Sequence, residues 1–520
     1  MTQEALKRLL RRTWGPFFSR FGRLLPVQRA AIPRVLAGDN LVVASPTASG
    51  KTEAVVAPLA EMLLAAPQDG LGVLYVSPTR ALVNDLEVRI KEPLVELGLS
   101  VAVRTGDRPQ FQPRRATDFL LTTPEALDAL LCRHPAVFRT LRAVVVDELH
   151  LIDGTYRGDQ LRLLLQRLRL LTGPQLRVHA LSATLADPVA MAARYVPDPT
   201  PVIIEGQREL TYMLVASFAE ALKVARTRRL HKLLVFANSR RRVEALAIEA
   251  RAHVPARLVV VHHGSLARRE REEVEAFLRT APAAVCVATM TLEIGIDIGN
   301  IDAVVLAEPP PSVVALLQRV GRGNRRRQHT CALAVCTSQA ERAVVEAMLW
   351  AAQRGELDAC PYQPDRSVVV QQLFSLLFAH PRGLAEPELL SVCAVLCPPE
   401  EVHTILGHLV DRGLLVYRQG RYGASSRVMD LGERGRIHSN VPERTARKVI
   451  DVQSRRLIGE IHEPVATTFA LAGRAWQVVA VRANTIMVRQ VTGDALPPAF
   501  RTDRPQGAFA SYLPPHLRSD

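Results

Sequence analysis

Lysine is scarce in this sequence, paired cysteines are missing, and no apolar run is long enough to span a membrane. Only six of the 66 basic residues are lysines; the other sixty are arginines. Such a bias also follows from GC-rich coding, so the net charge of +15 favours a polyanionic partner only weakly. The seven cysteines (Cys132, Cys286, Cys331, Cys336, Cys360, Cys393 and Cys397) form no CxxC pair. That spacing points to reduced, mostly buried thiols in a cytosolic protein. The longest apolar runs, such as Leu233–Ala237 and Leu258–Val261, have the length of strands. Met1–Arg12 shows no apolar stretch followed by a small-residue cleavage site, so no secretion leader is expected. Repeats and low-complexity tracts are also missing. What is there is a chain of 520 residues, 48% hydrophobic and 22% charged, which suggests three or four folded domains.

Residues 41–195 alternate apolar strand-like runs with longer helical stretches. The strands read as Leu41–Ser45, Gly72–Ser77, Val101–Thr105, Phe119–Thr123, Ala143–Asp147 and Arg177–Ala183. Continuous apolar runs separated by helices indicate a parallel sheet covered on both faces. After a Pro-rich joint, Val196–Pro201, the rhythm restarts with Lys232–Ala237, Leu258–His262, Ala284–Ala288, Ala303–Ala307 and Ala332–Cys336. The expected fold class is therefore α/β, with two doubly wound units in tandem, residues 1–200 and 201–360. Helical stretches near 366–379, 385–393 and 399–412, then a hairpin over Leu414–Tyr422, predict a winged helix at 361–425. Strand-rich 446–492 predicts a small antiparallel β module within 426–520, and the Pro-rich tail from Leu496 reads as extended or docked.

Four motifs carry chemistry. Ser45-Pro-Thr-Ala-Ser-Gly-Lys-Thr52 lies between a strand and a helix, where backbone N–H groups and a helix N-terminus face phosphates. Thr47, Ala48, Ser49 and Gly50 would cradle the phosphates, Lys51 would reach the β- and γ-phosphates, and Thr52 would complete a Mg²⁺ shell. The first Gly of the usual pattern is replaced by Ser45. Ala143-Val-Val-Val-Asp147-Glu148-Leu149-His150 is an apolar strand ending in carboxylates. Asp147 suits Mg²⁺ held through water, and Glu148 suits orientation and deprotonation of an attacking water. His150 either contacts the γ-phosphate or caps the next segment. Ser182-Ala183-Thr184 ends the next strand. Gln318-Arg319-Val-Gly-Arg322-Gly-Asn-Arg325 offers Arg322 and Arg325 as arginine fingers from a facing domain. His262 and His263 lack a nearby third ligand, and no metal is expected there. Trp476 suits a core position better than a base-stacking one.

With these motifs in one order, the chain resembles the superfamily-2 DEAD/DEAH-type helicases. The likeness also includes Pro78-Thr-Arg80, Thr123-Pro-Glu125, Val235-Phe-Ala-Asn-Ser-Arg240 and Ala288-Thr289 through Asp297. Gln28, in Leu25-Pro-Val-Gln28, resembles the adenine-reading glutamine of that group. A closer resemblance is to the Lhr (large helicase-related) group. It is carried by Asp-Glu-Leu-His, His262-His-Gly-Ser-Leu266, Thr291-Leu-Glu-Ile-Gly-Ile-Asp297, Gln371-Gln372, Ile437-His-Ser-Asn440 and Phe469-Ala-Leu-Ala-Gly-Arg-Ala-Trp476.

The resemblance implies two RecA-like domains, ATP and Mg²⁺ as cofactors, and 3′-to-5′ movement on single-stranded DNA. Gly295 and Asp297 would join the nucleotide site. DNA repair is the implied setting, with a cytoplasmic, nucleoid-associated location. The stretch after the winged helix is shorter than in that group, which leaves unwinding and preference for an RNA–DNA hybrid open. A strand lying across both units would be gripped by Thr79, Arg80, Thr123, Ser239, Arg240, Gly264, Thr289 and Thr291, at strand ends and helix starts. An RNA helicase shares this chemistry, because phosphate contacts do not read the sugar. A non-motor nucleic-acid-binding scaffold is the reading from another class. Intact Lys51, Asp147, Glu148, Arg322 and Arg325 argue against it.

Overall fold

The computed structural model describes the chain except for residues 47–48, 109–111, 113–116, 184–186, 205–208, 294–297, 324–328, 355, 357–361, 442–445, 463–466, 483, 493–494, 499–506 and 519–520. Two compact units divide it: Met1–Glu205 with Cys360–Glu443 and Arg504–Asp520, and Gly206–Ala359 with Arg444–Asp503. Among the described residues no helix is long and apolar enough to cross a membrane.

The first sheet has seven strands: β1 (Leu41–Ala44), β2 (Val73–Val76), β3 (Val101–Arg104), β4 (Phe119–Thr122), β5 (Ala143–Val146), β6 (Arg177–Ser182) and β7 (Thr200–Ile203). Their order is β3-β4-β2-β5-β6-β1-β7, with every neighbour pair parallel. Successive residues face two different cores. Val73 and Tyr75 pack into one cluster, Leu74 and Val76 into the other. That two-sided burial is why the strands read as unbroken apolar runs. β7 corrects the expected joint at Val196–Pro201. Pro201 lies inside a strand, which an edge tolerates because β7 pairs only with β1 and need not donate on its open side.

The second sheet has six parallel strands, β8 (Glu209–Val215), β9 (Lys232–Phe236), β10 (Val259–His262), β11 (Ala284–Ala288), β12 (Ala303–Leu306) and β13 (His329–Val335), ordered β10-β11-β9-β12-β13-β8. β8 was not anticipated from the sequence.

Helices Ser367–Ala379, Glu386–Cys393 and Pro399–Asp411 follow, with a small sheet of β14 (Leu384–Ala385), β15 (Leu415–Arg418) and β16 (Arg421–Ala424). This winged-helix arrangement packs in the first unit, where Leu163 joins Val369, Leu373 and Phe374 in one core. Phe509 and Leu513 of the tail dock into the same core.

β17 (Arg447–Asp451), β18 (Leu457–Ile461), β19 (Thr468–Leu471), β20 (Arg474–Arg482) and β21 (Thr485–Val491) form a five-stranded sheet ordered β18-β17-β21-β20-β19. It is not wholly antiparallel as expected, because β17 and β21 run parallel. Phe469, Trp476 and Val488 share the second unit's core with Val235 and Val261. Trp476 is buried and donates to the Leu471 carbonyl at 2.8 Å, a core role.

The segments that carried the Lhr likeness beyond the motor motifs are structural joints. Buried Asp128, on the helix Pro124–Arg133, is the centre of one. Its Oδ1 accepts from Arg167 Nη1 (2.9 Å), Gln372 Nε2 (3.0 Å) and Ser375 Oγ (3.0 Å). Its Oδ2 accepts from Gln371 Nε2 (3.2 Å) and His438 Nδ1 (2.9 Å). Burial pushes this carboxyl up, but the His438 hydrogen bond and Arg167 outweigh it and hold Asp128 below the usual range. Asp128→Ala strands Arg167 in the interior, so the expected loss is about 3–5 kcal/mol in a urea titration. A loss under about 1 kcal/mol would contradict this account.

In the second unit the Ala472-Gly473 turn donates both N–H groups to Glu244, at 2.8 and 2.9 Å, and His263 Nε2 lies 3.0 Å from the same carboxylate. His262 sits 2.9 Å from Thr291 Oγ1 and 3.1 Å from Glu275.

His179, on β6, is a buried imidazole with neither nitrogen bonded among the described residues. Burial first, then Arg177, pushes its pKa down to about 4. The unfolded chain, with an ordinary histidine near 6.5, takes up the proton first as pH falls. Stability is therefore lost between pH 6.5 and 4, by about 2 kcal/mol from pH 7 to pH 5. His179→Leu should flatten that part of the curve, read from urea midpoints at the two pH values. An unchanged difference would contradict the burial argument.

Candidate functional site

In the first unit the motifs separate onto two halves of the sheet. Neighbours β5, β6 and β1 end in the Asp-Glu, Ser-Ala and phosphate-loop motifs, while β2 and β4 end at Thr79–Arg80 and Thr123.

Gly50 sits at φ +82°, and a Cβ there would lie 2.4 Å from Gln28 Nε2. Only glycine permits both the left-handed turn and that approach. The helix Lys51–Ala65 starts directly after it. Lys51 is buried and donates to the Ser45 carbonyl at 2.7 Å and the Pro46 carbonyl at 3.2 Å. Burial lowers its pKa, partly offset by Glu148 and Asp147. Ser45 and Ser49 hydroxyls pair at 2.6 Å, so the serine in place of the first glycine braces the loop. Thr47 and Ala48 lie outside the described residues. Gln28 is buried; its Oε1 accepts from Leu25 N at 2.9 Å and its Nε2 reaches the Gly50 carbonyl at 3.4 Å. It thus joins the helix Pro26–Leu36 to the phosphate loop.

Asp147 N donates to the Val76 carbonyl (2.9 Å), and Asp147 Oδ1 accepts from Glu148 N (3.0 Å). Burial and then the Glu148 charge push Asp147 up to about 7, against the pull of Lys51. Two carboxylates in one enclosed place call for a cation. Thr52 and Asp147 fit Mg²⁺ on that ground, because a divalent ion would relieve the repulsion. Tyr75, buried on β2, faces the same spot. Burial and then Asp147 raise its pKa.

Glu148 takes φ +43°, turning the chain sharply out of β5. Its Oε2 lies 3.6 Å from His150 Nδ1. That contact is not a charge pair. Nδ1 accepts from the Ala183 N–H at 3.2 Å, so it carries no proton, and burial lowers the ring's pKa further. His150 is a neutral link between the Asp-Glu and Ser-Ala motifs, with Ser182 Oγ also at 3.2 Å. Thr184 is outside the described residues.

Of the strand-gripping candidates, Thr79 caps the helix Arg80–Glu96 by accepting from Leu82 N at 3.3 Å. Arg80 is exposed and 3.7 Å from Asp107. Thr123 is buried at the start of Pro124–Arg133.

In the second unit, neighbours β10, β11 and β9 end at Gly264, at Thr289 and Thr291, and at Ser239 and Arg240. Ser239 accepts from Arg242 N at 3.1 Å, Arg240 Nη1 reaches Ser265 Oγ at 2.7 Å, and a Cβ on Gly264 would lie 3.8 Å from Thr291. Thr289 and Thr291 hydroxyls are 3.4 Å apart. Arg322 is buried, with Nε 3.0 Å from the Glu293 carbonyl, and Arg319 Nε pairs with the Glu293 carboxylate at 2.6 Å. Gly295, Asp297 and Arg325 lie outside the described residues.

The DEAD/DEAH box helicase family matches residues 25–192, and the helicase conserved C-terminal domain matches residues 215–327. Together they take in more than half of the chain. An ATP-dependent helicase, Lhr-Core protein 2 of Thermococcus barophilus, is 35% identical over 61% of this chain and 42% of its own length. The Lhr-Core helicase of Methanothermobacter thermautotrophicus is 28% identical over 93% of this chain and 64% of its own. The chain belongs to the superfamily-2 helicases of the Lhr type. Among solved structures, Mycobacterium smegmatis helicase Lhr bound to ssDNA and AMP-PNP superposes with a TM-score of 0.71 at 26% identity. That match takes in 83% of this chain and 62% of the other. This Lhr-type chain thus spans less than two thirds of the length of each of these three relatives.

Proposed function

We propose that this chain is a nucleic-acid-stimulated ATPase that moves 3′-to-5′ along single-stranded DNA, in DNA repair. The observation that carries the reading is the sorting of motifs by strand. The groups read as phosphate-binding end β5, β6 and β1, and those read as strand contacts end β2 and β4 in one unit and β9, β10 and β11 in the other. Lys51 exchanges its loop carbonyls for phosphate oxygens, and Glu148 takes the proton of the attacking water. Thr52 and Asp147 would hold magnesium, which would supply neutralisation of phosphate charge. Arg322 and Arg325 of the second unit are the arginines assigned to the transferring phosphate. The winged helix (361–425) and β module (426–520) extend the strand's path.

DNA is favoured over RNA by the winged helix and by the ssDNA of the M. smegmatis relative; an RNA–DNA hybrid is the other candidate substrate. Polarity is tested with duplexes carrying a 3′ or a 5′ single-stranded tail. ATP-dependent strand separation on the 3′-tailed duplex alone is expected, and separation on the 5′-tailed one alone would reverse the assignment.

A further inference from the structure

Arg157 stands in the first turn of the helix Tyr156–Thr172, nine residues after Glu148, outside every motif read from the sequence. Its backbone is held on both sides. Thr155 Oγ1 accepts from the N–H groups of Arg157 (3.3 Å) and Gly158 (3.4 Å). A Cβ at Gly158 would lie 2.3 Å from the Ile152 carbonyl oxygen, so only glycine lets this turn pack so close.

The side chain then bridges two separate turns. Nε donates to Glu125 Oε1 at 2.6 Å, and Nη2 donates to Glu125 Oε2 at 3.1 Å and to the Pro78 carbonyl. This is the two-pronged guanidinium–carboxylate pairing that fixes geometry as well as charge. Pro78 directly precedes Thr79 and Arg80, and Glu125 comes two residues after Thr123. The two turns end neighbouring strands β2 and β4. The pair is about three-quarters buried, so it is better shielded than an ordinary surface ion pair.

We infer that Arg157 is a positioning residue for the strand site, clamping the turns 78–80 and 123–125 in register and tying both to the segment that carries Glu148. This rests on the reading of those turns as strand contacts. Arg157 itself touches no phosphate in this account, and that separates it from Arg80. A residue that binds phosphate releases counterions and contributes to the salt dependence of binding; a residue that only places others does not.

The test is fluorescence anisotropy of a labelled oligo(dT) on the full chain, titrated at several salt concentrations. The proteins are wild type, Arg157→Gln, Glu125→Gln, the double variant and Arg80→Ala, each checked for a cooperative melt. Arg157→Gln and Glu125→Gln should each weaken binding about tenfold, the size of one charge-assisted hydrogen-bonded contact. The double variant should lose no more, and the slope of log K against log salt should stay at the wild-type value. Arg80→Ala should weaken binding and flatten the slope by about 0.7. Wild-type affinity in both Gln variants, or a slope reduced as in Arg80→Ala, overturns the inference. Should Arg157→Gln fail to fold, Glu125→Gln carries the same comparison. A wild-type protein that does not bind the strand, or an Arg80→Ala protein that binds it normally, instead overturns the strand reading on which the inference stands.

Discussion

Glu148→Gln keeps ATP bound and stops its turnover. The expected fall in kcat is about 10²–10⁴-fold, the usual worth of a positioned general base, with nucleotide affinity unchanged. Glutamine preserves the shape that fits the φ +43° turn after β5 but cannot accept the water's proton. His150 cannot substitute, because its Nδ1 already accepts the Ala183 N–H and burial keeps the ring neutral. Asp147 is a poor replacement too, because it is the group proposed to hold magnesium with Thr52. Steady-state hydrolysis beside fluorescent-nucleotide binding separates the two effects. Normal turnover in this variant would remove Glu148 as the base.

The second large effect is expected at Lys51. Its ammonium is buried on two carbonyls of its own loop, at 2.7 and 3.2 Å, and faces Asp147 and Glu148. Burial that lowers its pKa is tolerable for a compact cation whose counter-charges arrive with phosphate. Lys51→Ala should bring hydrolysis to background and weaken nucleotide binding as well, which distinguishes it from Glu148→Gln. The same two assays read both. Retained hydrolysis with weak binding would mean that Lys51 only binds and does not stabilise the transferring group.

The two parallel sheets of this chain are legible in its sequence because their strands are buried on both faces. Ala284–Ala288 runs between the same residues in sequence and structure, and Ala143–Val146 ends one residue before the Asp147 that the apolar run exposed. Edges are less readable. β7 carries Pro201, and Thr468–Leu471 is an edge strand only four residues long. The parallel pairing of β17 with β21 leaves no local signature, since strand direction is settled by connection and not by composition.

The site shows the same division. Lys51, Asp147 and Glu148 announce themselves through fixed local spacing. Arg157 and Asp128 do not, because their partners are remote: Arg157 reaches back to Pro78, and Asp128 meets His438 across 310 residues. Gln371-Gln372 and Ile437–Asn440 could be noticed as shared words of the Lhr group, but their purpose, satisfying one buried carboxylate, appears only in three dimensions.

The central claim is that nucleic acid drives ATP turnover in this chain. Steady-state hydrolysis with Mg²⁺ tests it most directly, comparing no nucleic acid with single-stranded DNA and RNA of one sequence, with Lys51→Ala as the blank. Strong stimulation by DNA and little by RNA is the predicted result. Turnover with neither, above the Lys51→Ala blank, would contradict the account and return the chain to the scaffold reading.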